Sequence, residues 1–220
     1  MSANAVASRR RWRVVAVIAM FIVVFVASNV ADHAVYHGMH VAKVYEKDWG
    51  RALRTVGYLP MWLLIALGLW LIDVDRLRGL GFRQITRRGG FITASTIIAG
   101  LVCEILKLTI RRERPREHDG LHVFRPWDEK WWSSAGLGLP SSHTMIAFAG
   151  AAAMSILFPR TAVIWLLAAA GCAWTRVAHR DHFFSDAVLG ASAGAACAYL
   201  LWRFVYSPRE TDVIPPGAPA

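Results

Sequence analysis

The charge of this chain is gathered into short gaps between uninterrupted apolar blocks, each about the length that crosses a bilayer. A water-soluble domain would need its apolar residues spaced by polar ones, so that every element showed one wet face; here 55% of the 220 side chains are hydrophobic and they come in runs. The pattern predicts an all-α, polytopic six-helix transmembrane bundle, with helices at about 12–31, 55–73, 90–108, 143–158, 161–177 and 186–206. It reads as a single domain over 1–220, with a motif-bearing core at 90–206 and an outer loop at 109–141. Six crossings put both termini on one side. Arg9, Arg10, Arg11 and Arg13, then Arg76, Arg78, Arg83, Arg87 and Arg88, mark that side as cytoplasmic by the positive-inside tendency. The fourth and fifth segments are short and meet at Phe158-Pro159-Arg160-Thr161, which predicts a tight turn. Ala16 to Val30 lacks a small-x-small cleavage pattern and is long enough to remain as an anchor.

The formal charge of +10 does not point to nucleic acid, because the basic residues lie in the gaps and no separate polar module could carry a binding surface. Anionic lipid heads are the expected counterpart. Cys103, Cys172 and Cys197 all fall within apolar segments without metal-ligand spacing, so they read as small buried side chains and imply no disulfide. Lipid supplies little hydrophobic drive between apolar helices, which makes small residues the natural contact stripes. Gly190-x3-Gly194 is the best such stripe, and it fits either packing within the chain or a homodimer interface. The ten tryptophans lie mainly near segment ends or in loops, as interface anchors do. His33, His37 and His40 share a helical face beside Asp32, a spacing compatible with zinc, but an amphipathic surface stretch explains them as well.

Three polar patterns stand at the ends of apolar runs: Lys107-x6-Arg114-Pro115, Pro140-Ser141-Ser142-His143 and Arg176-x5-His182-x3-Asp186. Charge at membrane depth is costly unless it is used. With alternating crossings, the third segment runs outward to Lys107 and Arg114, the fourth begins there at His143, the fifth returns at Arg176 and the sixth starts near Asp186. All three patterns therefore meet on the non-cytoplasmic face. Lys107 and Arg114 are close to two helical turns apart and can flank one anion on a helix that Pro115 ends. Lys107 also reads as a snorkelling residue, as do Arg111, Arg112 and Arg116. Ser141 and Ser142 precede a helix, either as a plain cap or as an anion pocket of free first-turn amides. His143 has a reference pKa suited to donating a proton. His182 and Asp186 are four apart, so a carboxylate can hold one ring nitrogen and leave the other as a nucleophile; Asp186 also reads as a helix cap.

Taken together and in this order, the three patterns resemble those of the type 2 phosphatidic acid phosphatase superfamily, integral-membrane lipid phosphatases whose site is related to those of vanadium haloperoxidases and acid phosphatases. The similarity covers roughly Lys107 to Asp186. It implies that Lys107, Arg114, Arg176, Ser141 and the amide after it hold the phosphoryl oxygens. It further implies that His182 attacks phosphorus to form a phosphohistidine, Asp186 orients it, and His143 protonates the departing lipid alcohol. The resemblance implies neither cofactor nor metal. Two positions depart from the family pattern: Ser142 stands where glycine is common, and Thr175 replaces the serine before the arginine. The expected substrate is a lipid phosphomonoester or pyrophosphate. Lipid-to-lipid phosphotransfer is the nearest alternative, with a transporter or a non-enzymatic lipid-binding protein behind it. The loop 116–139 is expected to set specificity, with Trp127, Trp131 and Trp132 in the headgroup layer and Arg125 and Lys130 reaching lipid phosphate.

Overall fold

The computed structural model describes residues 3–76 and 87–206. Among them are seven α-helices: α1 (Ala3–Gly38), α2 (Asp48–Thr55), α3 (Leu59–Arg76), α4 (Arg87–Ile110), α5 (Ser142–Leu157), α6 (Ala162–Ala178) and α7 (Phe184–Leu201). A π-helical turn, Trp202–Tyr206, continues α7. The class is all-α, as the apolar blocks predict. Four spans, Val14–Gly38, Arg87–Ile110, Pro159–Ala178 and Phe184–Tyr206, are long and apolar enough to cross a bilayer. A fifth is added if α2 and α3, bent by 64° across a short break, count as one. The remaining expected crossing, α5, has 16 residues; at 1.5 Å per residue it measures roughly 24 Å, against about 30 Å of hydrocarbon.

Two boundaries differ from the expectation for a physical reason. The helix expected at 12–31 continues to Gly38, because its last three turns bury Ser28, Asp32 and Tyr36 against protein. The helix expected from residue 55 starts at Leu59, since Val56 to Tyr58 form a turn and the preceding α2 leaves at an angle. The side chains of Arg9, Arg10, Arg13 and Arg76, and the whole of Arg78 and Arg83, lie outside the described residues.

The core is built around α5, which packs most extensively on α7 and then on α6 and α4; α3 leans on α4, and α1 on α7. Small side chains set these distances. A Cβ on Gly190 would lie 2.9 Å from the Ser141 carbonyl oxygen, and one on Gly194 would strike the Met145 carbonyl, so the Gly190-x3-Gly194 stripe is a contact within the chain. Gly150 lies against the ring of Trp62, which is fully buried and donates from Nε1 to the Val56 carbonyl at 2.8 Å. Trp62 is thus a core residue, whereas Trp12, Trp127, Trp131 and Trp132 are exposed as anchors would be. The turn between α5 and α6 is a single 3-10 turn at Pro159–Thr161, as expected. At the same end of the bundle Arg88 pairs with buried Asp73, and Arg87 donates from Nε to the Tyr206 carbonyl at 3.1 Å, tying α4 to α3 and to the end of α7.

Candidate active site

The three motifs converge at the opposite end of the bundle. His182 sits in the link between α6 and α7 and is 2% exposed. Its Nδ1 lies 2.9 Å from the Gly138 carbonyl oxygen and 3.3 Å from Asp186 Oδ2. Both neighbours are acceptors, which assigns the proton to Nδ1 and leaves Nε2 with a free lone pair. Burial pushes the imidazole down to about 4, although hydrogen bonding and charge from Asp186 pull the other way, so the ring is neutral at ordinary pH. Asp186 also caps α7: its Oδ2 accepts from the Phe183 amide at 2.9 Å. The cap and the histidine partner are therefore the same carboxylate.

The other Asp186 oxygen accepts from Arg112, which the sequence reading assigned to the headgroups. Arg112 is 1% exposed and makes further bonds to Ser185 Oγ at 2.6 Å and Asn29 Oδ1 at 3.0 Å, with Asp32 at 3.7 Å. Asp32 in turn accepts from the Ser185 amide at 2.8 Å and hydroxyl at 2.5 Å, and meets His122 Nε2 at 3.0 Å. A buried network thus runs from the end of α1 to the partner of His182. Such a charge is tolerated because both Nη atoms of Arg112 find acceptors and two carboxylates lie beside it, although its buried Nε has no partner.

Arg111 is a second correction. Its guanidinium donates to the carbonyls of Arg125 and Pro126, at 3.1 and 2.7 Å, and to that of Glu129. Its backbone takes φ 60°, so α4 ends at Ile110 and not at Pro115. Lys107 is on the helix, but Arg114 is extended beyond it, in a loop stitched by bridges Arg112 to Phe124 and Glu113 to Leu137. The two cations therefore do not share a helical face; the loop carries Arg114 back, its amide donating to the Gly136 carbonyl at 3.0 Å. Arg125 is also turned inward, donating to Glu113 at 2.8 Å and to the Ala135 carbonyl at 2.8 Å, so it does not reach lipid. Gly136 holds φ 82°, a left-handed conformation, and a Cβ there would lie 2.9 Å from Arg125 Nη2.

Lys107 is 4% exposed, 3.3 Å from both Glu104 Oε1 and Ser142 Oγ. Ser142, at the usual glycine position, thus places its hydroxyl on the lysine. Ser141 is buried, with Oγ accepting from Thr144 Oγ1 at 3.0 Å and its amide donating to the Asp186 carbonyl at 3.1 Å. Its side chain makes no cap bond, so the first-turn amides of α5 keep no acceptor from it. Arg176 is 3% exposed and is held by Asp181 at 2.7 Å and Tyr45 OH at 2.9 Å. Asp181, which the sequence reading left out, also takes Arg116 at 2.8 Å. Burial works to raise its pKa, but Arg176, His179, His182 and Arg116 prevail and hold it below the usual carboxylate range. Arg116 is therefore an ion-pair partner more than a headgroup anchor. Among the motif residues three buried atoms, Arg114 Nε, Arg176 Nε and His143 Nε2, have no protein partner. Arg114 and Arg176 are within electrostatic reach of His182, and Arg176 and His182 of His143. The arrangement is a neutral buried imidazole among cations with donors left open, an environment suited to a phosphoryl group.

Segment 39–58, for which no role at the site is expected from sequence, covers this end. Val41 donates to the Ala178 carbonyl at 3.1 Å, Tyr45 OH to the Thr175 carbonyl at 3.2 Å, and the Tyr58 ring lies 5.0 Å from that of His143. A single aromatic or basic residue in a loop gives no spacing signal, so this layer could not be read from sequence. The histidine stretch of α1 resolves as surface: His33, His37 and His40 are exposed, with His33 and His37 rings 4.5 Å apart. Among the described residues, the acid-and-imidazole grouping with ligand spacing is Glu113, Glu117 and His118. Glu113 there already accepts from Arg125 and His118.

A family model, the PAP2 superfamily, matches residues 89–210, more than half of the chain. The chain belongs to the PAP2 superfamily. Curated relatives include a lipid A 1-phosphatase from Rhizobium johnstonii, 34% identical over 109 residues, covering 49% of this chain and 43% of the relative. A lipid A 1-phosphatase from Rhizobium etli is 32% identical over 121 residues, covering 54% and 50%. The chain spans about half the length of these relatives. Among solved structures, a transmembrane PAP2 type phosphatidylglycerolphosphate phosphatase from Bacillus subtilis superposes with a TM-score of 0.62 at 18% identity, covering 89% of this chain and 97% of that one. At that identity the likeness speaks for the PAP2 fold alone. The family match begins in α4, so the α1 and segment 39–58 contributions to the site fall outside it.

Proposed function

We propose that this protein is a membrane lipid phosphatase that hydrolyses a lipid phosphomonoester or pyrophosphate through a phosphohistidine. The observation that carries the reading is the buried neutral His182, its Nδ1 committed to Gly138 and Asp186, near arginines whose buried Nε atoms lack partners. His182 Nε2 attacks phosphorus; Lys107, Arg114, Arg176 and the first-turn amides of α5 stabilise charge on the equatorial oxygens. The bond to the leaving oxygen breaks, and that oxygen takes a proton from His143. Water then cleaves the phosphorus–nitrogen bond, releases inorganic phosphate and restores the neutral ring. No step in this scheme calls on a metal ion. Turnover needs neutral His182, which charges near 4, together with a His143 that bound phosphate keeps charged, so the rate should be bell-shaped in pH with its acid limb near 4; a rate that does not fall towards alkaline pH anywhere between about 5 and 9 counts against the pairing.

The site would face the periplasm, with both termini cytoplasmic and six crossings, in a bacterial inner membrane. Because α5 measures roughly 24 Å, less than the hydrocarbon thickness, a crossing α5 would leave its N-terminus at Ser141 below the headgroup level, where a lipid headgroup would enter from the side. The names of the Rhizobium relatives make the 1-phosphate of lipid A one of the substrates to test. The test is phosphate release by purified protein, with EDTA present, from lipid A, phosphatidate, phosphatidylglycerophosphate and a polyprenyl diphosphate, beside His182→Ala. Release that vanishes in the variant is the expected result. No release from any of them, with transfer of phosphate between lipids, would move the reading to a phosphotransferase.

A further inference from the structure

Arg54, in the last turn of α2, belongs to none of the three motifs, yet it stands beside two of them. Its guanidinium lies over the ring of Tyr45, 4.6 Å from the centroid, and 5.5 Å from that of Tyr58. Each tyrosine touches a motif residue: Tyr45 OH accepts from Arg176 Nη1 at 2.9 Å, and the Tyr58 ring contacts that of His143 at 5.0 Å. The Arg176 guanidinium is itself 5.7 Å from the Tyr45 centroid, so both arginines flank one ring. The backbone confirms the closeness. Gly57 donates to the Arg54 carbonyl at 3.0 Å, and a Cβ on Gly57 would lie 2.6 Å from His143 Cβ. Arg54 is within electrostatic reach of His143. Among the described residues no carboxylate pairs with it, and its buried Nε has no partner.

An arginine held between two aromatic faces and left without a counter-ion is a cation prepared for an anion. Its position says which anion. Lys107, Arg114 and Arg176 surround the phosphoryl group that His182 attacks, whereas Arg54 is next to His143, the group that serves the leaving oxygen. We infer that Arg54, with Tyr45 and Tyr58, forms a subsite for a second anionic group carried by the leaving group, and that the preferred substrate is a lipid diphosphate. This rests on the phosphatase reading above. In such a substrate His182 Nε2 attacks the terminal phosphorus, the bridging oxygen departs with its electron pair on a lipid monophosphate, and Arg54 holds that departing phosphate. Water then releases the terminal group as inorganic phosphate. A leaving phosphate needs less help from an acid than an alkoxide does, so His143 matters less for the diphosphate than for the monophosphate.

The experiment compares farnesyl diphosphate with farnesyl monophosphate, one lipid with two phosphates or one, using full-length protein in detergent and reading kcat/KM for phosphate release. For Arg54→Gln the diphosphate-to-monophosphate ratio should fall at least about ten-fold, the size of one charge-assisted contact. Arg54→Lys, which keeps the charge without the fork, should fall between the two. A melting curve for each variant separates unfolding from lost binding, and the lysine variant keeps the test open if the glutamine variant does not fold. Wild type active on both substrates with an unchanged ratio in either folded variant would overturn the subsite and leave the phosphatase reading standing. Wild type that releases phosphate from neither of these, while active on a lipid monophosphate of the panel above, would overturn the diphosphate preference alone, and no release from any of them would overturn both.

Discussion

At the scale of single residues the site depends on keeping His182 neutral and pointed. Its depressed pKa of about 4 has a consequence for stability whose sign is fixed. An unfolded histidine charges near 6.5, so between about 6.5 and about 4 the unfolded chain binds a proton that the folded one refuses. Stability from this group is intact above 6.5, is lost as pH falls through that window, and declines no further below it. Melting temperatures of wild type and His182→Gln between pH 7.5 and 4.5 should converge on acidification; parallel curves would show that the ring is not the titrating group. Arg112 makes a sharper case. Replacing it by methionine strands Asp186 and Asp32 inside the protein, a change that typically costs about 3–5 kcal/mol for a broken buried pair. The expected outcome is a lower melting temperature and little phosphate release, with partial recovery in Arg112→Lys, and a variant as stable as wild type would contradict the network. The sequence displayed the eight motif residues because their spacing is regular, but not the second partner of Asp186. Arg112 looked like any basic residue at a helix end, and only tertiary contact distinguishes an arginine that snorkels from one that is buried.

At the scale of elements, the α5 and α7 pair positions the chemistry, because Ser141 and His143 start one helix and Asp186 starts the other. Their separation is set by Gly190 and Gly194. Gly194→Val would drive two methyl groups into the Met145 backbone, and overpacking of this kind costs about 1–3 kcal/mol. Since the shift would move Ser141 relative to Asp186, phosphate release should drop more steeply than stability; equal retention of both would mean that the helices are not in contact there. The small-residue stripe was legible in the sequence, while its partner was not, since composition cannot tell a helix of the same chain from one of a second copy. The loop after α4 behaved in the opposite way. Its exposed Trp131 and Trp132 match the expected headgroup anchors, whereas Arg125 was taken inward by Glu113. Trp131→Ala with Trp132→Ala should weaken turnover of a bilayer lipid by several-fold more than that of a short soluble phosphate ester, and matched losses would argue against a lipid-gripping loop.

At the scale of the whole molecule, the alternation of apolar blocks was enough to read a polytopic bundle and to bring three distant motifs to one face. It was not enough to count crossings, since α5 is shorter than the hydrocarbon thickness and α2 is tilted away from α3, features that depend on packing against neighbours. The same packing ties the first helix to the chemistry. Asn29 and Asp32 of α1 hold Arg112, and Tyr45 holds Arg176, so the stretch matched by the family model lacks partners that its own site uses. Orientation can be decided by labelling single cysteines in a chain whose Cys103, Cys172 and Cys197 are replaced by alanine. Lys130 lies in the exposed loop at the site end, and Arg160 in the turn at the other end. Six crossings with cytoplasmic termini require that Lys130→Cys react with a membrane-impermeant maleimide added to intact spheroplasts, and that Arg160→Cys react only after lysis. The reverse pattern would place the site in the cytoplasm. Reaction of both from outside would mean that α5 does not cross, and that Ser141 and His143 reach the site on a re-entrant helix.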